Sequence, residues 1–83
     1  MRIPNHVVLY RVEDELTRAQ SRFAPFASAH EAIAVIREEY LELERAIFHG
    51  SGGDALTEAI QLSAMAARYA SDIGSRGRNG ENS

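Results

Sequence analysis

Two prolines and one glycine-rich run cut this 83-residue chain into three stretches, and in each the apolar residues recur at helical spacing. That punctuation predicts an all-α fold. Pro4 stands just ahead of the first stretch and Pro25 just beyond it, where a fixed φ and a missing N–H begin and end a helix. The first helix is predicted from Asn5 to Phe23, with Leu9, Val12, Leu16, Ala19 and Phe23 on its inner face. The second starts at Ser28. In Ser28-Ala29-His30-Glu31 the serine hydroxyl can accept from the third helical N–H while the glutamate reaches back, a capping box, with Phe26 or Ala27 as the hydrophobic staple. It runs to about Phe48 and stops at Gly50, read as a left-handed terminator. After the link Gly50-Ser51-Gly52-Gly53, Asp54 is expected to cap a third helix reaching about Ile73. Residues 1–73 read as a single domain. From 74 to 83 the chain has almost no apolar content and is expected to be a disordered tail. The short link predicts an antiparallel helical hairpin of the second and third helices, with the first docked on it.

Composition removes several function classes. The chain has no cysteine, which excludes disulfides, zinc-thiolate sites and thiol catalysis. Its formal net charge is -3 and it has no basic block, so duplex nucleic acid is not an expected partner. No stretch approaches the ~18 apolar residues of a membrane span, and the start lacks the length and cleavage pattern of a signal peptide. The expectation is a soluble, cytoplasmic protein.

The informative residues are acids on the wrong face. On a helical wheel of about 100° per residue, Glu39 falls inside the apolar arc of the second helix, flanked by Val35 and Ala46 and by Ala32, Ile36 and Leu43. Glu42 lies at the edge of that arc and Glu38 further round. The third helix does the same: Glu58 sits among Ala55, Leu62, Met65, Tyr69 and Ile73, with Gln61 and Asp72 along one edge. A buried carboxylate without a partner costs several kcal/mol. If the two helices pair, Glu39, Glu42, Glu58 and Gln61 converge. Oxygen-only donors suit Mg²⁺, with Mn²⁺ as the alternative. The competing reading is salt bridging, through Arg37, Arg45 and Arg68 or through Arg11, Arg18 and Arg22 of the first helix.

These same residues carry a resemblance. The segment HEAIAVIREEYLELE followed by TEAIQLSAMAARYASDI is similar to the MazG-like branch of the all-α nucleoside triphosphate pyrophosphohydrolases, over roughly Ser28 to Ile73. That family carries E-E-x-x-E on one helix and E-x-x-D on the next. Glu38-Glu39-Tyr40-Leu41-Glu42 matches the first element; Glu58-Ala59-Ile60-Gln61 matches the second in part, with Gln61 where the family has Asp. The resemblance implies a nucleoside triphosphate substrate, cleaved to the monophosphate and pyrophosphate with Mg²⁺. It implies Glu39, Glu42 and Glu58 as metal ligands, with Gln61 in the fourth place, and Glu38 as a ligand or the group orienting water. Glu38 and Glu39 are thus the expected catalytic pair. An amide at 61 brings no charge and cannot act as a base, so the alternative is a non-catalytic module that binds nucleotide or a protein partner. The family fold is completed by oligomerisation, and a second apolar set on the third helix (Leu56, Ile60, Ala67) leads to the same expectation: a homodimer or homotetramer built around a four-helix-type bundle. Weaker candidates for substrate contact are His30 near a helix N-terminus and the cations Arg18 and Arg22. Tyr40 and Tyr69 are read as core rather than base-stacking residues.

Overall fold

The computed structural model describes residues 1–50 and 52–74. They form three α-helices and, among the described residues, no strand: α1 (Asn5–Arg22), α2 (Ala29–His49) and α3 (Gly52–Gly74). The tail expected at 74–83 lies, beyond Gly74, outside the described residues, as does Ser51 of the glycine link.

Local chemistry explains most helix ends. The Pro4 carbonyl accepts from the amides of Val7 and Val8 at 3.1 and 3.2 Å, so α1 starts without a side-chain cap. It ends at Arg22 because Phe23 is already extended and Pro25 disfavours helix at Ala24. Ser28 caps α2, its hydroxyl accepting from the Glu31 amide at 3.1 Å. The reciprocal bond is shifted by one residue: the Glu31 carboxylate accepts from Ala27, not from Ser28. Two end predictions are corrected. Gly50 is extended (φ -105°), not left-handed. It stands 3.1 Å, at its would-be Cβ, from the Ala46 carbonyl, so close approach of backbone explains the glycine. α3 starts at Gly52, three residues before the Ala55 that a cap at Asp54 predicts, placing Asp54 in the first turn, where its charge favours the helix dipole.

α3 is the central element: α1 and α2 both pack on it, and they make no backbone approach to each other. Ala19, Ala64 and Met65 form one buried group, closed by Val12 and Leu16 from α1 and by Val35 and Ile36 from α2. A second joins Phe26, Ala32 and Ile73, with Val35 and Tyr69 against it. Phe26, 1 % exposed, is the largest fully buried side chain. It meets Ala32 one turn into α2, so Phe26 and not Ala27 is the staple.

Several apolar residues are not where periodicity put them. Leu9 and Phe23 are exposed; of the five predicted for the inner face of α1, Val12, Leu16 and Ala19 pack inward. Ile60, on the second apolar face of α3, is buried and lines a cleft with α1. The first helix therefore covers the face expected to need another subunit. Exposed apolar residues lie on α2, at Ile33, Tyr40, Leu41, Ile47 and Phe48, and on α1, at Val7, Leu9 and Tyr10. Tyr40, read as core, is 52 % exposed; Tyr69 is packed as expected. No helix among the described residues is long and apolar enough to cross a membrane.

Candidate metal centre

α2 and α3 bring Glu39, Glu42 and Glu58 together. One carboxylate oxygen from each lies within 4.8 Å of the other two, and all three residues are partly buried. Their positions follow from the pairing of the helices: Ala32 and Ile73 close one end of the α2–α3 contact, and Glu42 meets Glu58 near the other. Glu39 sits one turn from both Val35 and Leu43, so core packing holds it in place.

The electrostatics are unfavourable as they stand. Burial, then the charges of Glu42, Glu58 and Glu38, push the Glu39 carboxyl up from its ordinary value. Glu58 is pushed up by burial, by the charge of Glu42, and by a hydrogen bond with the Glu42 side chain. Oε1 of Glu39 and Oε1 of Glu58 are buried and make no hydrogen bond. Buried acceptors are normally satisfied, and an orphan calls for an explanation. Crowded oxygen donors with two unsatisfied atoms fit a hard divalent cation such as Mg²⁺ or Mn²⁺.

The other predicted residues are distributed around this centre. Glu38 is exposed, on a groove with Arg37, Arg45 and Glu42. Gln61 is turned toward α1, where it lines a cleft of about 100 Å³ with Tyr10, Glu15 and Arg18. Arg18 pairs with Asp14 at 3.0 Å on the surface, and Arg22 is exposed. His30 is exposed in the first turn of α2, nine residues and so about 13 Å along the axis from Glu39. Asp72 does not serve the carboxylate cluster. It accepts from the Phe26 amide at 3.0 Å and stands 3.6 Å from Nε of Arg68.

Two further residues bear on the site. Glu15 of α1 is partly buried, and its charge contributes to the raised Glu39. Arg68, considered only as one of several salt-bridge formers, is buried at 7 % exposure. Both had a signal in the sequence. Glu15 falls between Val12, Leu16 and Ala19, and Arg68 follows Ala64 and Met65, so each occupies an apolar-stripe position. Comparison of the chain with known protein families, with curated proteins and with solved structures finds no match.

Proposed function

We propose that the chain is a Mg²⁺-dependent nucleoside triphosphate pyrophosphohydrolase of the MazG-like kind. The observation that carries this reading is the meeting of Glu39, Glu42 and Glu58 with two of their oxygens buried and unsatisfied. The motif resemblance supplies the reaction class. Glu39, Glu42 and Glu58 would hold the ion. Bound Mg²⁺ neutralises the triphosphate and the charge that develops on its oxygens. Glu38, at the exposed rim beside Glu42, would accept the proton of the attacking water. Water adds at the α-phosphorus, the α–β anhydride bond breaks, and pyrophosphate leaves.

The α2–α3 pair is taken as an antiparallel hairpin, which the pairing of Ala32 with Ile73 and of Glu42 with Glu58 supports. Ile33, Tyr40 and Ile47 are exposed at seven-residue spacing on α2 and support a homodimer with α2 at the seam. Light scattering at micromolar concentration tests this; a monomer would refute it.

Pyrophosphate release from a panel of ordinary and modified triphosphates, with Mg²⁺ or Mn²⁺, tests the activity. Absence of turnover with every substrate would sink the catalytic reading. Gln61 favours a second reading, a non-catalytic nucleotide-binding or protein-interaction module, because it adds no charge to the cluster and lines the α1 cleft. Turnover that appears only in Gln61→Asp would favour that second reading.

A further inference from the structure

A cleft of about 550 Å³ lies between the α1–α2 connector and the helices, and Glu39 belongs both to its lining and to the carboxylate cluster. Its volume is within the ~300–1,000 Å³ of small-molecule sites. Phe23, Phe26, Val35 and Met65 give it apolar walls, and Arg68 is the basic residue among its lining. Glu31 also borders it, with Oε1 engaged by the Ala27 amide.

Arg68 is more than nine-tenths buried, yet its donors are not used up. One terminal nitrogen donates to the Ala24 carbonyl at 3.1 Å. The other finds the Met65 sulfur at 3.8 Å, a weak acceptor. Nε makes no hydrogen bond; Asp72 stands 3.6 Å away as a counter-charge. The guanidinium lies over the Phe26 ring at 3.9 Å, with the half-exposed Phe23 ring at 5.4 Å. A guanidinium can only donate, so whatever completes it presents acceptors. The exposed Phe23 ring beside it offers a flat face to a planar ring.

We infer that this cleft seats the base of the nucleotide and that Arg68 selects bases with an oxygen at the C4 of a pyrimidine or the C6 of a purine, such as uracil, thymine and guanine, over those with an amino group there. This rests on the nucleotide reading above. Cytosine and adenine put an amino group where uracil and guanine carry oxygen. Two donors then face each other, and neither is satisfied. The cleft and the carboxylate cluster share Glu39, so a base held there leaves its phosphates near the metal ligands.

The test is calorimetric binding of non-hydrolysable UTP, CTP, GTP and ATP analogues to the full chain with Mg²⁺. The uracil analogue should bind tighter than the cytosine one, and guanine tighter than adenine, each by roughly ten-fold or more. Arg68→Met should bring the uracil-to-cytosine ratio to within about two-fold, from the loss of that donor. Mn²⁺ binding, followed by electron paramagnetic resonance, should stay unchanged. Arg68→Lys keeps the charge without the planar fork and should narrow the ratio if the methionine variant does not fold. The wild-type panel decides the matter without any variant. Equal affinities, or a preference for amino bases, overturn the Arg68 inference and leave the nucleotide reading intact. Intact Mn²⁺ binding with no affinity for any analogue removes both.

Discussion

Replacing Glu39 by glutamine is expected to make the metal-free protein more stable and insensitive to Mg²⁺. The substitution keeps the size of the side chain and removes its charge. Glu39 presents an oxygen within 4.8 Å of oxygens from both Glu42 and Glu58. Two unit charges at that separation repel by about 3.5 kcal/mol at an effective dielectric of about 20, and by about 0.9 kcal/mol in water. The site is only partly buried. Solvent screening pulls the total toward the lower figure, giving a gain of about 1–2 kcal/mol. For a domain of this size 1 kcal/mol moves Tm by roughly 4–8 °C, so Glu39→Gln should melt roughly 4–16 °C above wild type in EDTA. With Mg²⁺ at a hundred times its Kd, the wild type should gain about 2.7 kcal/mol and the variant little. Circular dichroism melts of both proteins, with EDTA and with Mg²⁺, read all four quantities. A metal-free variant that melts at or below wild type would refute the repulsion argument. A wild type with one Tm in both buffers would refute the metal site.

The pH dependence follows from the same crowding. Glu39 and Glu58 are raised above their ordinary value of 4.5, so the folded protein holds their protons more tightly than the unfolded chain. Metal-free stability should therefore be highest near that pH and fall as pH rises through the raised values, while Glu39→Gln flattens the fall; urea midpoints in EDTA across that range check the sign. Phe26→Ala removes a ring that is 1 % exposed and that meets Ala32, Ile73 and the Arg68 guanidinium. It should cost about 3–5 kcal/mol in urea unfolding, and a loss under 1 kcal/mol would show that the connector is not a packed element. Asp72→Ala takes the counter-charge from buried Arg68 and the acceptor from the Phe26 amide. A loss of about 3 kcal/mol is expected, with faster hydrogen exchange confined first to residues 23–28.

The helices were legible because their signals are local. Ser28 with Glu31, Pro4 and Pro25 act within a few residues of chain, so α1 and α2 came out within a residue of their predicted ends. Glycine was harder to read. A glycine can end a helix in a left-handed or an extended conformation, and only the folded backbone shows that Gly50 is extended. Of the carboxylates, Glu39, Glu42 and Glu58 were visible as charges at apolar positions. Glu15 and Arg68 broke the same rule, but their isolation in the sequence hid what surrounds them.

What the sequence determined by itself is therefore the set of helices and the residues that violate their apolar faces, since both follow from a period of 3.6 residues and from short-range hydrogen bonds. What only the tertiary structure decided is which helix lies in the middle. An amphipathic stripe says that a face is buried and not against what. With α3 central, α1 covers Ile60, α2 is left with exposed Ile33, Tyr40 and Ile47, Gln61 turns toward α1, and Asp72 is drawn to the Phe26 amide of the connector. Each of those outcomes depends on contacts between residues far apart in the chain, where spacing carries no information.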